Sequence, residues 1–596
     1  MCGIIGVFGE NALQNVINGL IALEYRGYDS AGIAVKKDNK IKVYKATGEV
    51  KNVVSLVYKE LQSLKDSKIA IGHTRWATHG RPCNENAHPH TDEDSTIAII
   101  HNGIIENFDI LKKELLKKGY NFSSETDTEV IVHLIADKYK KHKNFQVAFQ
   151  QALLELRGTY AILCINSFEN RIYFAKLVNP LVIGLGDDKN YYCSSDMASM
   201  ATLKLTNKFI ILSDNEYGYV DEKEGIKIFS ISGNNLISKE SVKIDFVYGQ
   251  ADKKNYEHFM LKEIKEIPEI ILNAYHVDVN KAVEAIKNAD NIYFTACGTS
   301  YHAALVAKYL FNKVFRKDVH VYNSSEYIYL NPGNSNDVLF AISQSGETLD
   351  TLTAVKNAKR KGVKIIALTN HYGSSIFQEA DINLNMNAGP EIAVVATKTY
   401  IAQLIVLYKL VFSTVDNQAE IERLKDFRQL LDSFINSNEV VGKLNSIANS
   451  LKNEKDFYFI GRGFSYPTAL EAALKLKEIS YKHAEAFPAG ELKHGPLSLI
   501  TNDSVVIAFA PTDSLIKKIH SNILECKSRG AKIFSITDNK DITENSDYSI
   551  EMEIVPELFT PIYYIVPMQY FAYKMTVLNN LNPDKPRNLA KSVTVE

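Results

Sequence analysis

The 596-residue chain has no CxxC pair, only one tryptophan, no excess of either charge and no long apolar run. Each absence excludes something. Its six cysteines are scattered at 2, 83, 164, 193, 297 and 526. Neither a zinc knuckle nor a disulfide framework is suggested, and a reducing cytoplasm fits. Lys and Arg number 68 against 70 Asp and Glu. That balance argues against a nucleic-acid or membrane-surface protein. The longest apolar run, Ile401–Val415, carries Lys409 and is too short to span a bilayer. It reads as a buried helix. The opening residues, Met1–Gly6, have no basic region, so no signal peptide is read. A cytoplasmic location is expected.

What is present is 45% hydrophobic and 23% charged sequence, the composition of an ordinary globular protein. The length suggests three or four domains. Residues 1–240 are dominated by short apolar strands and glycine turns, with a few amphipathic helices at 105–118 and 127–141. This pattern predicts an α+β domain. A polar stretch at 241–265 reads as a linker. Beyond it the rhythm becomes strand, turn, long helix, which predicts parallel α/β sheets.

The second half also repeats itself. Asn291–Ala307 aligns with Asp456–Ala472, and eight of 17 positions are identical. Gly362–Asn370 likewise matches Gly530–Asp538. The period of about 165 residues is far too long for a solenoid. Two copies of one fold are expected, at 266–430 and 431–580, followed by a tail at 581–596.

Cys2 is the first candidate for chemistry. Removal of Met1 leaves an α-amine on the nucleophile's own residue, an amine that titrates near neutrality and serves as base for the thiol. Arg75, in the run His73–Gly80, offers a guanidinium for an amino acid's α-carboxylate. Asn102 and Gly103 offer an amide side chain and a backbone N–H to an oxyanion. Asp127, just before a helix, serves either as a helix cap or as a partner for an α-ammonium. His88-Pro89-His90 invites a metal reading. It is set aside because no carboxylate or thiol stands at ligand spacing.

In the second half, Ser343–Thr348 follows an apolar strand and opens a helix, a ready phosphate cradle. A plain capping box is the simpler use of such a turn. The second copy has Ala510–Ser514 at the equivalent place and has lost the cradle. Glu471, Lys475 and Glu478 lie at i, i+4 and i+7 on one helix face. They are either a solvated charged face or a proton-transfer site beside a carbonyl. Gly461-Arg462-Gly463 lacks the third glycine of a dinucleotide fingerprint, so that use is rejected.

Several runs now bear a family resemblance. Cys2-Gly3-Ile4, Glu24–Gly32, His73–Gly80, Asn86–His90, His101-Asn102-Gly103 and Ser124–Glu129 resemble the class II glutamine amidotransferase domain. The resemblance implies a four-layer α/β/β/α N-terminal-nucleophile fold with Cys2 as nucleophile. It further implies Asn102 and Gly103 as the oxyanion hole, and Arg75, Trp76, Thr78, His79, His88 and Asp127 as glutamine binders. Trp76, the single tryptophan, would gate an ammonia path; otherwise it is a core aromatic.

The second half resembles tandem sugar isomerase domains. The whole chain is similar to the glucosamine-6-phosphate synthase family, the isomerising glutamine–fructose-6-phosphate aminotransferases. This implies that Thr299, Ser300, Ser343, Gln344, Ser345, Thr348 and Val395 hold the sugar phosphate. Glu478 would be the base between C1 and C2, supported by Lys475 and Glu471. His494 would assist ring opening from the partner subunit of a homodimer. The tail would fold over the active site, with Lys591 reaching the sugar carbonyl. Thr397 stands where the family often has Ser, and the hydroxyl is kept. No metal or organic cofactor is implied.

Two rivals remain to be weighed. An amidotransferase acting on phosphoribosyl pyrophosphate would need an acidic pyrophosphate loop after a strand, and none is seen in the sequence. A sugar-phosphate-binding regulatory protein with a residual glutaminase domain would not need Glu478, His494 or Lys591.

Overall fold

The computed structural model describes residues 2–77, 79–187, 190–243, 253–330 and 332–593. The chain forms two compact units, residues 1–250 with 590–596, and residues 251–589.

The first unit contains an eight-stranded and a seven-stranded sheet. The larger runs in the order Val242–Lys243, Lys208–Ile211, Val182–Leu185, Tyr191–Ser194, Gly3–Phe8, Ile69–Arg75, Ser30–Lys37, Lys40–Thr47. The smaller runs Leu236–Ile237, Gly225–Ser230, Glu216–Asp221, Ile172–Leu177, Gly158–Asn166, Ile97–Ile105, His90–Thr91. Alternation within single strands dictates the layering. From Gly3–Phe8, Ile5 and Val7 pack with Leu13, Val16 and Leu20 of helix Ala12–Leu23. Ile4 and Phe8 point the other way, into a core shared with Ala98, Ile100, Leu163 and Ile165 of the second sheet. The far face of that sheet packs on helices Glu129–His142 and Phe145–Glu155. The four-layer α/β/β/α architecture follows.

The second unit holds two five-stranded parallel sheets. Their strand orders are equivalent: His320–Asn323, Ile292–Ala296, Val338–Ser343, Lys364–Thr369, Ile382–Asn385 in one, and His483–Pro488, Asp456–Gly461, Ser504–Ala510, Lys532–Thr537, Tyr548–Glu551 in the other. The repeat in the sequence is thus a repeat of topology. In each sheet the direction of progression reverses between the first and third strands in chain order. Ligands of open α/β sheets bind outside the carboxyl ends of the strands at such a switch point. Ala296 and Ser343 end the two strands that flank it.

The largest hydrophobic cluster of this unit runs through both of its halves. It includes helix Lys398–Thr414, which holds the apolar run except Val415 and is almost wholly buried. The charge in that run reaches the carbonyls of Tyr275 and Val277, each 2.7 Å from Lys409 Nζ. Among the described residues no helix is long and apolar enough to cross a membrane.

The polar stretch 241–265 is not all connector. It ends in helix Phe259–Lys265, with Met260, Glu263 and Ile264 buried. Asp584 accepts from the backbone N–H groups of Phe259 and Met260, at 2.8 Å each.

Candidate active sites

In the first unit, Cys2 precedes strand Gly3–Phe8 and Arg75 closes the neighbouring strand Ile69–Arg75. Gly3 is required by this proximity, since a Cβ there would lie 2.6 Å from Thr74 Oγ1 and 2.8 Å from Leu23 Cβ. The Trp76 N–H points at Cys2 Sγ, at 3.3 Å. Burial raises the thiol pKa, while this N–H and the Arg75 charge act to lower it.

Arg75 is buried, and Nη2 donates to the carbonyls of His79 and Gly80. Nη1 is buried without a partner among the described residues. A guanidinium nitrogen left unpaired is costly unless a ligand completes it. Asp127, also buried, accepts from Ile105 N at 2.7 Å through Oδ2. It does not cap the helix that begins at Glu129.

Asn102 and Gly103 lie within strand Ile97–Ile105, not at its end. Asn102 Nδ2 donates to the Cys2 carbonyl oxygen at 2.9 Å, so its donor end faces Cys2. Gly103 has φ +135°, and a Cβ there would lie 2.0 Å from Thr159 O. No other residue fits this backbone.

His79 sets its ring edge-on to Phe108, with centroids 5.7 Å apart. His88 Nδ1 accepts from His101 N at 3.2 Å, and His90 Nε2 bonds the Thr126 hydroxyl at 3.1 Å. Those nitrogens are thus engaged by the protein itself. Thr78 lies outside the described residues.

In the second unit, Ser343 ends its strand and Thr348 precedes helix Leu349–Arg360. The Ser343 and Thr348 hydroxyls are 2.9 Å apart, and Gly346 N donates to Ser343 Oγ at 3.0 Å. The turn is pinned from below. Asn370 N donates to Gln344 O, and Ile376 N to Gly346 O. The Glu347 carboxylate accepts from Ser375 N at 2.9 Å and Ser375 Oγ at 2.6 Å. Ser345 Oγ accepts from Glu347 N at 3.1 Å. Ser300 Oγ, on the earlier helix Gly298–Leu310, accepts from Gln403 Nε2 at 3.1 Å.

Helix Ser465–Ser480 carries Glu471, Lys475 and Glu478. Glu471 and Lys475 are both 0% exposed, which rules out a solvated face for this pair. Lys475 Nζ is 2.8 Å from Glu478 Oε2, 3.4 Å from Glu471 Oε1 and 2.9 Å from Thr299 Oγ1. Glu471 also accepts from Thr299 Oγ1 at 3.1 Å and pairs with His302 Nδ1 at 2.8 Å. Burial disfavours the Lys475 ammonium, but the two carboxylates outweigh it and raise the lysine's pKa. Thr299 and His302 come from helix Gly298–Leu310 of the first repeat. The second repeat's charged helix is therefore completed by this helix of the first repeat.

Val395 is buried in the loop that leads to helix Lys398–Thr414. Glu391 holds that loop by accepting from Thr397 N and Thr399 N, at 2.9 and 3.1 Å. His494 is exposed, at the end of the short helix Ala489–His494. Lys591 is half-buried.

Sequence reasoning missed His302, Glu347 and Glu391. His302 was visible as the helical i+3 neighbour of Thr299. The other two act on backbone N–H groups of separate loops, which no local spacing announces.

Comparison with known proteins bears on both halves. Residues 73–202 match the model of a glutamine amidotransferase domain, and residues 285–413 and 450–579 match the SIS domain. The glutamine–fructose-6-phosphate aminotransferase (isomerizing) of Pyrococcus horikoshii is 46% identical over 100% of both chains. The protein of that name from Aquifex aeolicus is 42% identical, again over 100% of both. Among solved structures, the C-terminal domain of glucosamine-fructose-6-phosphate aminotransferase from Francisella tularensis is 34% identical. It covers 56% of this chain and 100% of its own, with a TM-score of 0.52.

Proposed function

Since this chain belongs to the glutamine–fructose-6-phosphate aminotransferase (isomerizing) family, we propose that it converts glutamine and fructose 6-phosphate to glutamate and glucosamine 6-phosphate. The observation that carries this reading is the array of buried Glu471 and Lys475 with half-buried Glu478, completed by Thr299 of the first repeat.

Cys2 Sγ attacks the glutamine amide carbon once Met1 has been removed and the α-amine has taken the thiol proton. Arg75 grips the α-carboxylate and Asp127 the α-ammonium, with Trp76, Thr78, His79 and His88 around them. Asn102 Nδ2 and Gly103 N stabilise the tetrahedral oxyanion. Ammonia leaves, and water hydrolyses the thioester to glutamate. Ammonia then passes by a closed interior path, gated by Trp76, to the sugar.

The sugar phosphate is held by Thr299, Ser300, Ser343, Gln344, Ser345 and Thr348, with Val395 against the sugar. His494 of a partner subunit assists ring opening, which makes the working form a homodimer. Lys591 in the tail reaches the C2 carbonyl. Ammonia adds at C2 and water leaves, giving an imine. Glu478 removes the C1 proton, and the resulting enolamine is reprotonated at C2. The charge of Lys475 and the Glu471 carboxylate steady that intermediate. A cytoplasmic location fits such an enzyme.

The experiment is direct. The protein is incubated with both substrates, and glutamate and glucosamine 6-phosphate are quantified. Equimolar products are expected. Glutamate without amino sugar would sink the synthase reading and leave only a glutaminase with a sugar-phosphate-binding half.

A further inference from the structure

His73 is fully buried, two residues before Arg75 in the same strand. We propose that His73 is a positioning residue of the glutaminase half. Its Nε2–H fixes the Asn102 side-chain amide with the oxygen turned inward and the NH2 group turned toward Cys2. The inference rests on the reading of Asn102 as an oxyanion donor.

Two contacts at the ring fix the proton. His73 Nε2 lies 3.1 Å from the His101 carbonyl oxygen and 3.1 Å from Asn102 Oδ1. A backbone carbonyl only accepts, so Nε2 carries hydrogen, and the Asn102 atom facing it is the oxygen. The other end of the amide makes the same demand. Asn102 Nδ2 lies 2.9 Å from the Cys2 carbonyl oxygen, another pure acceptor. A flipped amide would set carbonyl against carbonyl at Cys2 and NH2 against N–H at His73. Only hydrogen bonding chooses between the two orientations of an asparagine amide.

The ring is itself held. It stacks on His88 with centroids 4.1 Å apart and planes 13° from parallel. His88 is fixed in turn by the His101 N–H on its Nδ1. His73 Nδ1 is buried with no partner among the described residues, as suits an unprotonated nitrogen. Burial, and then the nearby Arg75 charge, push the pKa of His73 down to about 3. The ring is therefore neutral at working pH and keeps a single tautomer.

The consequence falls on kcat. An amide donor that points at the developing oxyanion acts only in the transition state. Loss of an oxyanion donor costs about 10²–10³-fold, and a misaligned donor loses part of that.

The test uses the full-length protein with three variants, Asn102→Ala, His73→Phe and His73→Gln. Phe keeps the stacking and removes the N–H; Gln restores a donor. Glutamine hydrolysis by Asn102→Ala should fall by about 10²-fold or more. His73→Phe should lose on the order of 10- to 100-fold in kcat with KM for glutamine little changed, and His73→Gln should recover most of it. Alkylation of Cys2 by iodoacetamide forms no oxyanion, so its rate should be unaltered in His73→Phe. An impaired Asn102→Ala beside a fully active His73→Phe overturns the proposal. So does alkylation slowed as much as turnover, which would make His73 a support of the nucleophile. A fully active Asn102→Ala would instead remove the oxyanion assignment on which the proposal rests. Nitrogen-15 spectra of histidine-labelled wild-type protein give a check free of variants. The Nε2–H tautomer is expected across neutral pH, and the Nδ1–H tautomer at His73 would contradict it.

Discussion

Lys475 Nζ lies 2.8 Å from Glu478 Oε2, and no part of the lysine is exposed. Glu471 stands on its other side at 3.4 Å. A buried ammonium between two carboxylates is balanced only while all three remain. Replacing Lys475 by Met leaves two carboxylates facing each other, and breaking such a pair costs about 3–5 kcal/mol. Chemical denaturation of the Lys475→Met protein should show that loss. The wild-type pair has an alkaline limit. The lysine's pKa is raised in the folded state, so its contribution is complete below the ordinary lysine value of about 10.4 and is lost as pH rises through the raised value.

Glu478→Gln removes the proposed base and keeps the shape. Amino-sugar formation should fall by about 10²–10⁴-fold, the usual worth of general base catalysis. Glutamine hydrolysis should persist. Retained synthesis, measured as glucosamine 6-phosphate, would remove Glu478 from the role of base.

Gly346 sits at φ +66°, where a Cβ would lie 2.0 Å from Ser374 Oγ. Gly346→Ala strains the backbone by about 1–2 kcal/mol and should shift the turn off the phosphate it is proposed to hold. Losing one charge-assisted bond, about 1.5–3 kcal/mol, should raise KM for fructose 6-phosphate on the order of tenfold or more. Glutaminase activity measured in parallel should not change.

Four buried histidines gather near the proposed glutamine site. Burial lowers the pKa of His73, His88, His90 and His101 alike. Each is neutral when folded and has an ordinary pKa of about 6.5 when unfolded. Below that pH the unfolded chain takes up more protons, so stability falls as pH drops from about 6.5 toward the lowered folded values. Thermal melting followed from pH 8 to 4 should show a progressive acid loss in the first unit. Substituting His73 by Phe should lessen its slope.

Much of this was legible in the sequence, and the limits have physical causes. The repeat Asn291–Ala307 against Asp456–Ala472 announced two equal sheets, and short apolar runs such as Gly3–Phe8 announced strands, this one buried on both faces. The spacing of Glu471, Lys475 and Glu478 placed them on one face. It did not say that the face is buried, because Thr299 and His302 come from about 170 residues earlier. Helix Phe259–Lys265 hid inside a polar stretch because a cap supplied by Asp584, far along the chain, completes its first turn. Asn102 was legible as a donor, but its place inside a strand depends on pairing with Gly158–Asn166, and its contact with His73 depends on one sheet facing the other.

The central claim is that the amide nitrogen of glutamine becomes the amino group of the sugar without mixing with solvent. Glutamine labelled with nitrogen-15 at the amide, given with fructose 6-phosphate and an excess of unlabelled ammonium, tests it most directly. The account predicts glucosamine 6-phosphate carrying the full label, one nitrogen per glutamate released. Amino sugar diluted to the isotopic composition of the medium, or glutamate formed with no amino sugar, would contradict it.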